Sequence, residues 1–311
     1  MQNDSPSYRI LAKYYDEFQS DSDIKIIQDE ILSNIAQYQI LKKKNLQFKN
    51  SQQPKNNQQC QNNKQLKIAD LGCGTGIFAL SLAQQGHIVT AIDLSAPMLK
   101  VLKTKKAQLS FPFQNNLRIL QADISEYIFS DKQDILLAMT DTLNHLDAQQ
   151  FVSFFSLADQ NLKTNGILIF DLLKLEYLLE ERGNRTYFVE FDLAQKGSRN
   201  PENAFNVIDT EELTNFNDSI DSNEFFSKLS PAVSMVWENE WLEDEQIAIS
   251  NLTFFERIVN SDRYLRFTDQ VIEYYHDLKN IEQIFCDDFS CVKTLDFPER
   301  KLFILQKISD I

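Results

Sequence analysis

Residues 66–95 read LKIADLGCGTGIFALSLAQQGHIVTAIDLS. Leu66 to Leu71 is a short apolar run of the kind that forms a buried parallel strand. Gly72, Gly74 and Gly76 then open a helix, Ile77 to Gln85, which carries an apolar face and stops at Gly86. A second strand, His87 to Ile92, ends on Asp93. Strand, glycine turn, helix, strand and acid make a βαβ unit, and the first turn of such a unit is where parallel sheets bind nucleotides.

The chemistry follows from that geometry. Glycines let the backbone turn tightly and let a ligand approach it closely. The helix behind them presents unpaired N–H groups and a positive dipole end. Asp93, at the tip of the next strand, has the two acceptor oxygens that a ribose diol needs. A dinucleotide site requires GxGxxG with the pyrophosphate on the helix N-terminus. Here the spacing is GxGxG, Asp70 stands two residues ahead of the first glycine, and no Walker lysine follows, which disfavours a phosphate cradle.

Asp70-Leu71-Gly72-Cys73-Gly74-Thr75-Gly76, together with Ala91-Ile92-Asp93-Leu94-Ser95, resembles the class I S-adenosylmethionine-dependent methyltransferases. The resemblance places the glycine turn under the methionine and ribose of the cofactor and gives the ribose hydroxyls to Asp93. It implies a cofactor site made by Asp70, Gly72, Cys73, Gly74, Gly76, Asp93, Leu94 and Met98. Further pieces match downstream. Leu117 to Leu120 is a third strand, and Ala122, Asp123 and Ile124 stand where the family holds the adenine; a helix cap before Ser125 is the competing role for Asp123.

Asp134 to Met139 is a fourth buried strand, running into Thr140-Asp141-Thr142-Leu143-Asn144-His145-Leu146. Small and polar residues directly after a central strand lie at the carboxyl edge, where open α/β sheets do their chemistry. The segment resembles the Asp-Ser-Leu-Asn-Tyr-Leu stretch of bacterial methyltransferases of unassigned substrate, with His145 at the aromatic position. Thr140 is assigned to the cofactor, Asp141 and His145 to catalysis, and Asn144 to the substrate. Asp171, closing the strand Ile167 to Phe170, is a second substrate-side acid.

Near the N-terminus, Tyr8, Leu11, Ala12 and Tyr15 fall on one helical face of Ser7 to Phe18. The bland reading is a helix docked on the core. The resemblance implies a lid that folds over the cofactor, with Tyr8 and Tyr15 touching ligand and Tyr15 beside the reacting methyl; Leu11 replaces the usual Phe. A second helix spans Ile24 to Tyr38. Lys42 to Lys64 is dominated by Lys, Asn and Gln, and its composition predicts a disordered insertion.

From Thr186 to Tyr275 the pattern alternates, and short polar turns separate runs at Thr186–Leu193, Val233–Leu242, Gln246–Ile258 and Arg263–Tyr275. This predicts an antiparallel meander. In relatives such a meander roofs the substrate pocket, which makes Trp237 a substrate-lining candidate against the plainer alternative of packing. A helix over Asp277–Phe285 and strands over Phe289–Phe297 and Lys301–Ile308 close the chain.

The expected fold is α/β: a doubly wound, seven-stranded Rossmann-like methyltransferase sheet with its last strand antiparallel, capped by the meander. The expected division is an N-terminal helical lid over 1–40 and the disordered insertion over 41–65. A cofactor-binding core follows over 66–173 and 277–311, with a β cap over 174–276 that holds a mobile acidic insertion at 194–231.

Composition narrows the function. The chain has 311 residues, 45 acids against 31 bases and a net charge of −14, which argues against a broad phosphate-binding face. Its four cysteines show no paired metal or disulfide spacing, so no metal is expected and free thiols are. Neither a signal peptide nor a spanning apolar run is evident, and a cytoplasmic protein is expected. The reading is a methyltransferase that uses S-adenosylmethionine on a small-molecule acceptor. A non-catalytic cofactor-binding scaffold, a NAD(P)-dependent oxidoreductase on the same fold and a tRNA methyltransferase remain as alternatives.

Overall fold

The computed structural model describes residues 8–18, 21–50, 65–191, 205–209, 233–258, 261 and 263–308. The first sheet holds β1 (Lys67–Leu71), β2 (Ile88–Asp93), β3 (Leu117–Gln121), β4 (Gln133–Ala138), β5 (Leu162–Leu173), β11 (Phe289–Asp296) and β12 (Arg300–Lys307). Their spatial order is β3-β2-β1-β4-β5-β12-β11. The first five strands are mutually parallel, and β12 runs antiparallel to β5. All six residues of β4 are buried, as a central strand covered on both faces requires. The strand order reverses between β1 and β4, and the carboxyl ends there frame the crevice in which such sheets bind ligands.

Helices cover both faces. On one face, α3 (Ile77–Gln84) and α4 (Ala96–Ala107) join α2 (Asp21–Asn50), which buries Ile27, Ile31 and Ile35 against Phe78, Leu82 and Leu99. On the other, α6 (Ala148–Asn161) turns Phe151, Phe154, Phe155 and Ala158 inward against Phe170, Phe303 and Phe285 of α8 (Glu282–Phe285). The caps are local: Ser95 accepts from the Met98 N–H with Pro97 in the first turn, and Asp147 with Gln150 forms a capping box. Asn165 takes φ 61° in the turn before the buried half of β5, the positive φ that an Asn-Gly turn accommodates. Short elements complete the layer: α1 (Tyr15–Phe18), α5 (Phe113–Asn116), α7 (Leu175–Glu181) and the 3₁₀ turns Leu11–Lys13 and Thr142–His145.

The second sheet is antiparallel, in the order β10 (Tyr264–Tyr274), β9 (Ile247–Arg257), β8 (Val233–Leu242), β6 (Thr186–Phe191), β7 (Phe205–Asp209). One face buries Val189, Val233, Met235 and Phe254 against Leu11 and Tyr14 of the N-terminal segment. Among the described residues no helix is long and apolar enough to cross a membrane.

Four expectations need correction. The N-terminal segment is not one helix: Tyr8 has φ 65°, and the Asp269 carboxylate takes the Ile10 and Leu11 N–H groups at 2.6 and 2.7 Å, leaving a 3₁₀ turn before α1. The run that begins the expected disordered insertion is helical as far as Asn50, because Leu, Lys and Gln are strong helix formers; residues 51–64 lie outside the described ones. Inside the expected mobile insertion, β7 pairs with β6, and the remaining residues of 194–231 lie outside the described set. The closing helix begins only at Glu282, because Asp277 turns the chain by accepting from the Lys279 N–H and from Asn280 Nδ2.

Candidate active site

The glycine turn assigns different work to each glycine. Gly72, Gly74 and Gly76 all have positive φ. A Cβ on Gly72 would stand 2.4 Å from the Thr142 side chain, and one on Gly76 would stand 2.1 Å from Leu102 Cδ1. Those two are glycines because the protein fills the space. A Cβ on Gly74 meets only Cε1 of Tyr15, at 4.0 Å. Open room therefore lies above Gly74, with the Tyr15 ring across it.

Two acids border this turn. Asp93 accepts from the Gly74 N–H at 2.8 Å through Oδ2 and from the Ser95 N–H at 2.7 Å through Oδ1, which ties the end of β2 to the turn. Asp70 is wholly buried, and its Oδ2 has no hydrogen-bond partner among the described residues. Burial pushes the Asp70 carboxyl up to about 7, with Asp93 adding to the rise against a lowering contact from the Ala79 backbone. Burial likewise raises the Asp93 carboxyl and the Cys73 thiol. An orphan carboxylate oxygen, a diol acceptor and a glycine with free space above it fit S-adenosylmethionine, whose ammonium and ribose need those partners.

The remaining predicted cofactor residues occupy the same carboxyl edge. The Leu94 side chain is exposed and Met98 is packed in the core. The Ala122 N–H donates to the Asp93 carbonyl, while Asp123 accepts from both the N–H and the hydroxyl of Ser125. Ala122 and Ile124 pack against the α6-side core. None of these lines the cavity described next.

That cavity, about 310 Å³, lies between the β4 exit and the second sheet. Its floor is Tyr15, Thr140, Asp141, Glu299 and Arg300, and its roof is Arg182, Trp237, Ser250 and Glu273, with Tyr8 and Tyr177 also lining it. Thr140 and Asp141 hold positive φ (53° and 65°) because their N–H groups both donate to Asp171, at 3.0 Å each. Such strained backbone persists where surrounding groups over-determine it. Asp171 is fully buried and also receives Arg300 at 3.2 Å. Burial raises its carboxyl, opposed by Arg300. Arg300 further binds Asp141 at 2.8 Å and Glu299 at 2.7 Å.

The loop after β4 also stitches the sheets together. Asn144 is fully buried, donating to the Tyr274 carbonyl and accepting from the Leu173 N–H. His145 Nδ1 lies 2.9 Å from the Ile272 carbonyl, and its Nε2 lies 2.9 Å from the Tyr8 hydroxyl. A carbonyl only accepts, so Nδ1 carries the proton of the neutral ring, and Nε2 accepts from Tyr8. Burial raises the Tyr8 hydroxyl well above its ordinary value, which keeps it a donor at neutral pH.

Of the predicted catalytic and substrate residues, Tyr15, Asp141 and Trp237 line the cavity, and His145 reaches it through Tyr8. Asn144 and Asp171 are consumed by internal bonds and act as positioning groups. Arg182, Glu273, Glu299 and Arg300 were not singled out from the sequence. Arg182 binds Glu273 at 3.1 Å and stacks over Trp237, its guanidinium carbon 4.7 Å from the ring centroid. A glutamate inside the otherwise apolar run Val271-Ile272-Glu273-Tyr274 is the one signal that pointed there.

Comparison with known proteins agrees with the geometry. Residues 68–166 match the family model described as a methyltransferase domain. YqeM of Bacillus subtilis (strain 168), which is named a methyltransferase, is 28% identical over 69% of this chain and 72% of its own length. A protein of Geobacillus sp. (strain WCH70) named in the same way is 32% identical over 37% of this chain, and the match spans about half (47%) of that relative. An S-adenosylmethionine-dependent methyltransferase from Clostridium acetobutylicum ATCC 824 superposes with a TM-score of 0.56 at 21% identity, covering 78% of this chain and 84% of that one. With the glycine turn, the acid on β2 and the strand order β3-β2-β1-β4-β5-β12-β11 all in place, residues 68–166 form a methyltransferase domain, and the fold around it is that of the class I S-adenosylmethionine-dependent methyltransferases.

Proposed function

We propose that this protein transfers a methyl group from S-adenosylmethionine to a small-molecule acceptor held between the β4 exit and the antiparallel sheet. The single observation that carries the reading is the cavity of about 310 Å³, which adjoins the glycine turn through Tyr15 and is roofed by Trp237 and the Arg182–Glu273 pair. A space of that size suits a metabolite. It does not suit a polynucleotide, and the net charge of −14 also disfavours one.

Asp70, Asp93 and the backbone around Gly74 would hold the cofactor, with Tyr15 across the turn. When bound, S-adenosylmethionine supplies a methyl group activated on a sulfonium, open to in-line displacement. The chain's own residues position the acceptor and exclude water, which is most of what methyl transfer asks of a protein. Thr140 and Asp141 present the floor at a fixed height because Asp171 and Arg300 clamp them. Tyr8 passes its hydroxyl proton to His145 Nε2 as it takes one from the acceptor, so a proton leaves without a charged group entering from solvent. The Tyr-lined lid, residues 8–18, is anchored to both layers: Asp269 holds Ile10 and Leu11, and Asp16 binds Thr75 and Lys105. We assign the lid to residues 8–18, narrower than the expected 1–40 because α2 packs with the core, and keep the core and cap at the ranges expected above.

The test is calorimetric titration of the purified protein with S-adenosylhomocysteine and, in parallel, NADH, followed by transfer of labelled methyl to a metabolite library. Saturable binding of the first alone, with label in a small molecule, is the expected result. Binding of S-adenosylhomocysteine with no transfer, or of neither ligand, moves the weight to the scaffold reading; NADH binding overturns the cofactor assignment, and label in RNA overturns the small-molecule acceptor.

A further inference from the structure

The charge around the cavity is unbalanced, and the imbalance is localised. On the roof, Arg182 Nη1 meets Glu273 Oε2 at 3.1 Å and Ser250 Oγ at 3.5 Å, and the guanidinium lies on Trp237. That pair is neutral, so its cation already has its counter-ion. On the floor one guanidinium, Arg300, faces three carboxylates: Asp141 at 2.8 Å, Asp171 at 3.2 Å and Glu299 at 2.7 Å. Burial raises the Asp171 carboxyl. Even with that acid protonated, Asp141 and Glu299 share one cation, and both line the cavity. The cofactor meets this charge only in part: Asp70 takes its ammonium away from the cavity, and the sulfonium that would face the floor loses its charge when the methyl is transferred.

We propose that the acceptor is a primary or secondary amine, bound as its ammonium ion against Asp141 and Glu299 and deprotonated through Tyr8 and His145. This rests on the methyltransferase reading and deepens it. Asp141 and Glu299 keep only 18% and 29% of their side chains exposed, so water solvates the excess carboxylate incompletely and a cation in the cavity is favoured. An alcohol, phenol, thiol or carboxylic acid becomes an anion when it becomes a nucleophile, and that anion would form against the carboxylates. An amine is a cation before the step, neutral during attack and a cation afterwards, so the floor favours both its bound forms. The balance is complete. The ammonium gives one proton to Tyr8 Oη as the Tyr8 proton passes to His145 Nε2. The nitrogen lone pair forms the N–CH₃ bond while the C–S pair returns to sulfur. The products are a methylammonium ion, S-adenosylhomocysteine and a proton held on His145 Nε2, which is given up when the Tyr8–His145 contact opens for product release. Tyr8 touches the acceptor; His145 acts through it, with its ring turned by the Ile272 carbonyl.

The experiment uses the full chain saturated with S-adenosylhomocysteine and two matched sets of probes: phenethylamine, phenylethanol and phenylacetate, then hexylamine, hexanol and hexanoate. Each set keeps its skeleton and changes only the end group. Calorimetric titration should show the amine of each set binding at least about tenfold more tightly than its alcohol and acid. With Asp141→Asn that preference should fall about tenfold, and Glu299→Gln should lower it in the same direction if the first variant folds poorly. With labelled donor, the label should be on nitrogen. Equal or tighter binding of an alcohol or acid, no binding of either amine, or a preference unmoved in both variants overturns the amine acceptor. Failure to bind S-adenosylhomocysteine at all is a separate result, read before any probe is added, and it strikes the methyltransferase reading itself.

Discussion

The Tyr8 hydroxyl donates to Nε2 of His145 at 2.9 Å, joining the N-terminal segment to the loop after β4 across 137 positions of chain. Because His145 Nδ1 is committed to the Ile272 carbonyl, the ring cannot present its other tautomer without losing that bond. His145→Gln should therefore lower kcat about 10²-fold, and Tyr8→Phe should lower it by a similar factor, with the double variant no worse than either alone. S-adenosylhomocysteine titrations of His145→Gln should stay near the wild-type affinity; affinity lost in step with kcat would mark a structural role instead.

Two alanine substitutions separate the roles within the glycine turn. Gly76→Ala places a Cβ 2.1 Å from Leu102 Cδ1 at φ 88°, and should destabilise the fold by about 2–3 kcal/mol in urea denaturation. Gly74→Ala meets nothing nearer than Tyr15 at 4.0 Å, and should cost only about 1–2 kcal/mol of left-handed strain. Its methyl group enters the space assigned to the cofactor, so S-adenosylhomocysteine affinity should drop more than about tenfold. Retained affinity in Gly74→Ala would place the cofactor elsewhere.

Asp93 serves two masters, the ribose and the turn, since its oxygens hold the Gly74 and Ser95 N–H groups at 2.8 and 2.7 Å. Asp93→Ala should abolish measurable S-adenosylhomocysteine binding in calorimetry. Asp93→Asn keeps one acceptor oxygen and should retain weak binding. Wild-type affinity in the alanine variant would sink the assignment.

Asp70 makes stability depend on pH. Its folded carboxyl titrates at about 7 against an unfolded 3.8, so the folded state binds more protons between those values. Stability is therefore unaffected below about pH 4 and falls as pH rises toward 7, by about 4 kcal/mol in all for a shift of that size. Buried His276 opposes it: burial lowers that ring to about 4 from 6.5, so its contribution is present above 6.5 and is lost as pH falls toward 4. Thermal melts of Asp70→Asn across pH 4 to 7 should show stability rising with pH, where the wild type is flatter. Identical pH profiles in the two proteins would show that Asp70 is ionised when folded.

Residues 66–95 determined the βαβ unit by themselves, because a buried strand and a helix with an apolar face are set by neighbours a few residues away; that Gly72 and Gly76 have no room for a Cβ was decided by Thr142 and Leu102. The same local origin holds for the Ser95 and Asp147 caps and for the alternating runs of the second sheet. Tertiary structure decided the rest. Tyr8 takes φ 65° and the lid loses its regular helix because Asp269, some 260 residues on, claims two of its N–H groups. Asp171 and Asn144, legible only as polar groups at a sheet edge, turned out to be tied up within the scaffold. Arg182 and Glu273 meet across 91 positions, and Arg300 reaches Asp141 across 159. A charged residue that finds its partner at that separation leaves no period in the sequence. Its burial is tolerated only because the fold delivers the counter-ion.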